Sequence, residues 1–206
     1  MAFLPSNRRS EKDRTVLTWI NSPPSGGDRY LFVDRDGVIN VDDDAYIKTV
    51  DDYGFYAEAL EALAWLKARR VGVIVISNQS GLNRGIIAWD DFWAIHESMV
   101  RGIREAGGDL LAAYYCPHRP DEGCSCRKPA PGMILAACNT YPITPETTYM
   151  IGDRTSDLLA AENAGCRGVL LDRSADGTEL APFEGADGSF DRFPGLLEAV
   201  HSIFSD

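Results

Sequence analysis

Two aspartates separated by one residue, Asp34 and Asp36, stand immediately before a glycine in the run Asp-Arg-Asp-Gly-Val. Carboxylates spaced this way across a sharp turn can face one small volume, although the fragment alone fits a plain surface turn equally well. Ser77 and Asp153 follow two other apolar runs, and Lys128 precedes a predicted helix. Carboxylates that meet repel one another unless a cation lies between them, and oxygen ligands favour Mg²⁺. Together with a lysine and a hydroxyl, such a set is suited to holding and transferring a phosphoryl group.

A short loop at residues 116–126 concentrates cysteine and histidine. The residues concerned are Cys116, His118, Cys124 and Cys126. Three thiols and one imidazole form a complete tetrahedral shell for zinc, whereas the competing interpretation is buried structural thiols beside an exposed histidine. The close pairing of these residues across a loop that contains Pro and Gly favours zinc. With no position left open to water, the zinc would be structural and would fix the loop that leads into Arg127 and Lys128.

The elements that must position these residues are visible as short apolar runs that alternate with amphipathic segments. The runs are typical of buried parallel strands, and the amphipathic segments repeat apolar residues at helical spacing. Strands are predicted at 30–34, 71–77, 111–116, 147–153 and 166–172. Helices are predicted at 58–70, 88–107, 131–141, 156–165 and 193–204, with a long loop at 173–192. This alternation predicts a doubly wound, Rossmann-like α/β fold with a mostly parallel sheet.

The residues that could take part in a reaction lie at the carboxyl ends of these strands. Parallel strands end at one edge of a sheet, and doubly wound folds bind their ligands at that edge. Asp34, Ser77 and Asp153 stand at such ends, and Lys128 lies in a loop that reaches the same edge. Taken one at a time, each of these four residues could have a purely structural role, as a turn residue, a helix cap or a lysine exposed to solvent. Their convergence on one edge favours a phosphoryl-transfer site.

Four motifs, in this order over most of the chain, resemble those of the haloacid-dehalogenase-like phosphatases. They are Asp34-x-Asp36-Gly-Val, Ser77 at a strand end, Lys128, and Gly152-Asp153-x₃-Asp157. The resemblance implies that Asp34 is the nucleophile that forms an aspartyl-phosphate, and that Asp36 protonates the leaving oxygen and later activates water. It implies that Ser77 and Lys128 hold the phosphoryl oxygens. It also implies a Mg²⁺ site made by Asp34, Asp153 and the backbone carbonyl of Asp36.

Further motifs narrow the resemblance to a zinc-containing subgroup, the heptose-bisphosphate and histidinol-phosphate phosphatases. These motifs are Asp-Arg-Asp-Gly-Val-Ile-Asn at 34–40, Asn-Gln-Ser-Gly at 78–81, Tyr-Cys-Pro-His at 115–118 and Cys-x-Cys-Arg-Lys-Pro at 124–129. The subgroup implies a substrate pocket lined by Ser77 together with Asn78, Gln79, Ser80 and Arg127. The intervals between the motifs are too short for a separate cap domain. A minimal cap would leave the pocket open, which suits a small phosphate ester.

Two phosphatase hypotheses and one hypothesis without catalysis follow. The runs at Asn78 and Lys128 are closer to the heptose enzymes, which favours removal of the 7-phosphate from D-glycero-D-manno-heptose 1,7-bisphosphate with Mg²⁺. The five-residue interval between His118 and Cys124 is closer to the histidinol-phosphate type. An acidic run at 42–44 could attract such a cationic substrate, although a solvated turn is the favoured interpretation. An inactive, zinc-stabilised interaction domain is disfavoured, because both carboxylates of the first motif are present.

Composition and charge exclude several classes of protein. The 206 residues include 20 Lys and Arg against 31 Asp and Glu, and this net charge of −11 disfavours binding to nucleic acid or anionic membranes. The five cysteines, an odd number, argue against a disulfide framework. The sequence contains no apolar run of membrane-spanning length and no signal-peptide pattern, so we expect a cytoplasmic protein and a monomer. Residues 1–28 are expected to be a lead-in and linker, and 29–206 a single phosphatase domain.

Overall fold

The structure, a computed structural model, describes residues 16–21, 29–42, 46–173 and 190–205. Its centre is a seven-stranded sheet in the order β1-β4-β3-β2-β5-β6-β7, in which only β1 runs antiparallel to its neighbour. The strands are β1 (Leu17–Ile20), β2 (Arg29–Val33), β3 (Val71–Asn78), β4 (Ala112–Cys116), β5 (Tyr149–Gly152), β6 (Arg167–Leu171) and β7 (Asp191–Phe193). The helices are α1 (Ala57–Ala68), α2 (Trp89–Glu105), α3 (Gly132–Thr140), α4 (Thr155–Ala164) and α5 (Leu196–Phe204).

The predicted doubly wound α/β architecture is confirmed, and all ten predicted strands and helices are present. Two strands were not predicted. β1 lies inside the segment 1–28 that was expected to be a lead-in, so the folded unit begins before residue 29. β7 takes up the last two residues of the predicted loop 173–192 and the first residue of the predicted helix 193–204, which in the structure begins at Leu196. Residues 174–189 of that loop are outside the described part of the chain. Both are short edge strands, for which the sequence signal is weak.

Strand β2 occupies the middle of the sheet because its apolar residues are buried on both faces. Leu31 and Val33 pack on one face, and Tyr30 and Phe32 pack on the other. Val33 is in register with Val75 of β3 on one side and with Ile151 of β5 on the other. The residue that follows β2 therefore emerges between the carboxyl ends of two parallel neighbours, where the strand order reverses.

The two faces of the sheet are covered by different helices. α1, α2 and α5 cover the face that includes Leu31, with the fully buried Leu63, Met99 and Val200. α3 and α4 cover the other face, with the buried Ile134. Each fully buried aliphatic side chain contributes about 1.5–3 kcal/mol relative to an exposed one. This packing on both faces gives the strand ends a rigid support.

The loops above the carboxyl edge are short. Between β2 and α1 the described residues form turns and a 3₁₀ helix at Val50–Asp52, and β3 connects to α2 through residues 79–88. This arrangement agrees with the predicted minimal cap. Within the described ranges, no helix is both long enough and apolar enough to cross a membrane.

A buried histidine links α2 to the sheet. The Nδ1 atom of His96 lies 2.8 Å from the hydroxyl of Tyr115, and its ring packs against the edge of Trp19 at a centroid distance of 4.8 Å. Burial lowers the pKa of His96 to about 3. His96 therefore contributes to the packing of α2 as a neutral side chain, a structural role for which the sequence offered no partner.

We predict that replacing His96 makes stability less dependent on pH. A histidine in an unfolded chain has a pKa of about 6.5, so below that pH the unfolded protein binds more protons than the folded one. The free energy of unfolding therefore falls as the pH drops. Between pH 7 and pH 5, the His96→Gln protein should lose about 2 kcal/mol less unfolding free energy than the original protein. Urea denaturation at both pH values measures this, and equal losses would contradict it.

Candidate active site

The buried centre of the site is the ammonium group of Lys128. Its Nζ atom lies 2.9 Å from Oδ1 of Asp34 and 2.5 Å from Oδ1 of Asp157, and it donates a hydrogen bond of 2.8 Å to the carbonyl of Ile76. Burial by itself would lower the pKa of Lys128, but the two carboxylates outweigh burial and raise that pKa above its ordinary value. The lysine is therefore a fixed cation beside the residue that follows β2.

A third carboxylate, Asp153, joins this cluster from the end of β5. One oxygen each from Asp34, Asp153 and Asp157 lie within 4.8 Å of one another. Burial and the neighbouring carboxylates raise the pKa of Asp34 to about 7, against the attraction of Lys128. Burial and Asp157 likewise raise the pKa of Asp153 to about 6. Since Oδ1 of Asp153 is buried without a hydrogen-bond partner, the donor set fits a hard divalent cation such as Mg²⁺.

Two glycines allow these carboxylates to approach the backbone. Gly37 has a φ of +78°, and a Cβ atom there would collide with the carboxylate of Asp153. A Cβ atom on Gly152 would collide with the side chain of Asp157. Both positions therefore require glycine, one for its backbone conformation and the close approach, the other for the close approach alone.

Asp36 faces a separate set of donors. Arg35, itself buried, donates to both carboxylate oxygens at 2.9 and 3.0 Å, Asn40 donates at 3.0 Å, and Nε2 of Gln79 donates at 2.8 Å. Burial opposes the ionised form, but Arg35 and these hydrogen bonds outweigh it and hold the pKa of Asp36 below its usual range. In this arrangement Asp36 is an ionised carboxylate, the form that can accept a proton from water.

Ser77 is oriented by the same glutamine. Its Oγ atom accepts a hydrogen bond of 3.0 Å from Nε2 of Gln79, so the proton of the Ser77 hydroxyl remains available to another acceptor. The preceding residue, Ile76, accepts the hydrogen bond from Lys128. The structure thus brings the predicted residues Asp34, Asp36, Ser77, Lys128 and Asp153 together at one edge of the sheet.

The cysteine and histidine residues of the 116–126 loop also converge. Nδ1 of His118 lies 3.3 Å from Sγ of Cys116 and 3.2 Å from Sγ of Cys126, and Cys116 lies 3.3 Å from Cys126 and 3.7 Å from Cys124. Zinc binds thiolates at about 2.3 Å in a tetrahedron, which places its ligand atoms about 3.5–3.8 Å apart. The four side chains fit such a site, and Cys126 lies two residues before Lys128.

Comparison with known proteins places the chain in a family. A family model described as HAD-hydrolase-like matches residues 125–187. The D-glycero-β-D-manno-heptose-1,7-bisphosphate 7-phosphatase of Pseudomonas putida is 42% identical over 143 residues, which cover 69% of this chain and 82% of that protein. The chain belongs to this heptose-bisphosphate phosphatase family of haloacid-dehalogenase-like hydrolases. The relative from Photorhabdus laumondii is 34% identical over 180 residues, covering 84% of this chain and 95% of that protein.

A solved structure from the heptose-bisphosphate phosphatase family has the same fold. The D,D-heptose 1,7-bisphosphate phosphatase from B. bronchiseptica, complexed with magnesium and phosphate, matches with a TM-score of 0.80 and 33% identity. The match covers 86% of this chain and 98% of that one. The family and the phosphatase activity predicted from the four motifs are thereby confirmed.

Two residues expected to line the substrate pocket have side chains committed to other partners. Gln79 is buried, its Nε2 donates to Asp36 and Ser77, and its Oε1 accepts from Arg35. The side chain of Asn78 is bonded to the backbone of a neighbouring loop. In this structure both amides bond to the protein, and their predicted contacts with a substrate stay predictions.

The other two residues predicted to line the substrate pocket are Ser80 and Arg127. Ser80 is buried, and its carbonyl accepts a hydrogen bond from the backbone of Arg84. Arg127 is half-buried, and its NH1 atom lies 3.3 Å from the carbonyl of His118 at the edge of the zinc loop. Substrate contacts by Ser80 and Arg127 stay predictions.

Sequence reasoning missed three contributors to the site. The sequence identifies Asp157 only as part of the fourth motif, with no role of its own, whereas in the structure it is the fully buried counter-ion of Lys128. Arg35 and Asn40 lie beside the first motif, yet nothing in their spacing showed that both bind Asp36.

In the acidic run 42–44, Asp42 forms an ion pair with Arg154, and residues 43 and 44 lie outside the described part of the chain.

We predict that Gln79→Met lowers kcat by at least about tenfold while KM stays nearly unchanged. The variant keeps the length of the side chain but removes the hydrogen bonds that Gln79 itself donates to Asp36 and Ser77. The bonds from Arg35 and Asn40 to Asp36 remain. Steady-state kinetics measures this, with Asn83→Ala as the control, because that amide bonds the exposed Glu122 at 2.9 Å. A raised KM at unchanged kcat would show instead that Gln79 contacts the substrate.

Proposed function

We propose that the protein hydrolyses the 7-phosphate of D-glycero-β-D-manno-heptose 1,7-bisphosphate, through an aspartyl-phosphate on Asp34 and with Mg²⁺ bound. The observation that carries the mechanism is the contact of 2.9 Å between Asp34 and the buried ammonium of Lys128, beside the unpartnered oxygen of Asp153. The named activity of relatives at 34–42% identity supports the substrate. The alternative, histidinol phosphate, rests on the five-residue interval between His118 and Cys124 and on the acidic run at 42–44. In that run, Asp42 is paired with Arg154.

The first half-reaction forms the covalent intermediate. A carboxylate oxygen of Asp34 attacks phosphorus, and the bond from phosphorus to the ester oxygen breaks. Lys128 and Ser77 hold the phosphoryl oxygens, which offsets the repulsion between an anionic nucleophile and an anionic substrate. Asp36 gives its proton to the leaving sugar oxygen. This step needs protonated Asp36, a form favoured by the negative charge of an arriving phosphate.

The second half-reaction returns Asp34 to its free form. Asp36, now ionised, takes a proton from a water molecule as that water attacks the phosphorus of the aspartyl-phosphate. The bond from phosphorus to Asp34 breaks, inorganic phosphate leaves, and Asp36 is again protonated. The hydrogen bonds from Arg35 and Gln79 favour the ionised state of Asp36 that this step uses.

Each metal has a proposed place and task. Asp34, Asp153 and the backbone carbonyl of Asp36 would hold Mg²⁺, which when bound neutralises charge on the phosphoryl group. Asp157 would remain with Lys128. The four ligands in the 116–126 loop would hold a structural zinc that fixes the backbone leading into Lys128.

The substrate assignment is tested by phosphate release, with Mg²⁺, from heptose 1,7-bisphosphate and from histidinol phosphate. We expect a strong preference in kcat/KM for the bisphosphate. Asp34→Asn removes the nucleophile and should lower kcat by at least about 10³-fold on either substrate. A preference for histidinol phosphate would reject the proposed substrate but keep the mechanism, whereas activity that survives in Asp34→Asn would reject the mechanism.

Zinc removal should abolish activity that added Mg²⁺ alone cannot restore. The reason is that, without zinc, the backbone leading into Lys128 is no longer fixed by the 116–126 loop. Elemental analysis should find zinc in the original protein, and Cys124→Ser should lose that zinc together with thermal stability and activity. Cys138→Ser is the matched control, because Cys138 lies on α3 outside the cluster. Full activity in zinc-free protein would contradict the structural role.

The remaining expectations concern the surroundings of the enzyme. We propose a small-molecule phosphate ester as the only required partner, with no role for nucleic acid or a membrane. The monomeric state and the cytoplasmic location stay predictions. Light scattering tests the first, since one chain has a mass of 22.6 kDa.

A further inference from the structure

The side chain of Asn78 forms two hydrogen bonds with a single distant residue. Its Nδ2 atom donates to the backbone carbonyl of Lys128 at 3.1 Å, and its Oδ1 atom accepts from the backbone N–H of Lys128 at 3.0 Å. Fifty positions separate the two residues in the chain. The amide thus bonds both backbone polar groups of Lys128, much as a neighbouring strand would.

Lys128 lies in a loop, between the zinc cluster and α3, where no strand supports its backbone. Its ammonium group is held in place by contacts with Asp34, Asp157 and the carbonyl of Ile76. Asn78 fixes the other end of the same residue. A long, flexible side chain held at both ends keeps little of its conformational freedom.

Asn78 is itself held rigidly. It is the last residue of β3, it pairs in register with Cys116 of β4, and it directly follows Ser77. The end of β3 therefore positions two residues. Ser77 is part of the strand itself, and Lys128 is held by the side-chain amide of Asn78. The zinc ligand Cys116 is in register with the same position, so the cluster and the lysine share one support.

We propose that Asn78 is a positioning residue that acts on the reaction through Lys128, and not a contact to the sugar part of the substrate. The inference depends on the proposed function only in that Lys128 binds the transferred phosphoryl group. A residue acting this way affects every phosphate ester equally, because the phosphoryl group is common to all of them. A residue that contacts the alcohol affects each ester differently.

The first experiment compares Asn78→Ala with the original protein on heptose 1,7-bisphosphate, histidinol phosphate and p-nitrophenyl phosphate. We expect kcat/KM to fall by the same factor, about tenfold, on each ester that the original protein hydrolyses. A factor that changes with the alcohol would overturn the proposal. Should Asn78→Ala fail to fold, Asn78→Ser serves as the second variant, since its side chain is also too short to bond both groups of Lys128.

The second experiment separates positioning from partial unfolding. Calorimetric titration with inorganic phosphate in the presence of Mg²⁺ gives both the affinity and the number of sites. We expect Asn78→Ala to weaken phosphate binding by about tenfold with the number of sites unchanged. Fewer sites with unchanged affinity would mean a purely structural role and would overturn the proposal. This readout does not depend on which sugar phosphate is the substrate.

Two further variants complete the test. Asn163→Ala is the matched control, because its amide donates to the carbonyl of Pro129 at 3.0 Å in the same loop without touching Lys128. It should bind phosphate like the original protein. In a Lys128→Met background, Asn78→Ala should cause no further loss of phosphate affinity. An equal loss in both backgrounds would show that Asn78 does not act through Lys128.

Discussion

A buried cation between two buried carboxylates is the constraint on which the site depends. Lys128 is 3% exposed and Asp157 is fully buried, so both charges are removed from water at a large cost in solvation free energy. Attraction in the interior offsets that cost only while the partners stay in close contact. Loss of one partner from such a buried pair typically destabilises a protein by about 3–5 kcal/mol. The hydrogen bonds from Asn78 and to the carbonyl of Ile76, both in β3, keep Lys128 within reach of Asp34 and Asp157.

The carboxylates of this cluster outnumber its cation, and this imbalance suits the binding of a divalent metal ion. Asp34, Asp153 and Asp157 surround one ammonium group, and burial together with the repulsion among them raises the pKa of Asp34 and of Asp153. A divalent cation relieves that repulsion, so metal affinity and local stability are coupled. Asp36 is kept out of this cluster by its own partners, Arg35 and Gln79. Asp34 and Asp36 are both aspartates and lie two positions apart, yet their surroundings shift their pKa values in opposite directions.

The sequence predicted the parts of the site that depend on strand order. Asp34, Ser77 and Asp153 lie at the ends of parallel strands, so their meeting followed from topology. The cluster of cysteines and histidine at 116–126 followed from the close spacing of those residues. The pairing of Lys128 with Asp157 was missed because one residue lies in a loop and the other in α4, and the sequence does not show that the two meet. The directions of the side-chain amides of Asn78 and Gln79 were equally hidden, because neighbours distant in sequence decide them. β1 and β7 escaped notice because strands of three or four residues carry too little pattern.

The antiparallel strand β1 bears on how the protein behaves in solution. It covers the outer side of β4, whose buried residues Ala112–Cys116 would otherwise form the edge of the sheet. An uncovered edge presents free N–H and C=O groups in a row, which invites pairing with a second molecule. A polypeptide trimmed past Ile20 would therefore keep the candidate active-site residues but expose an aggregation-prone edge next to Cys116, and it would lose the packing of Trp19 against His96.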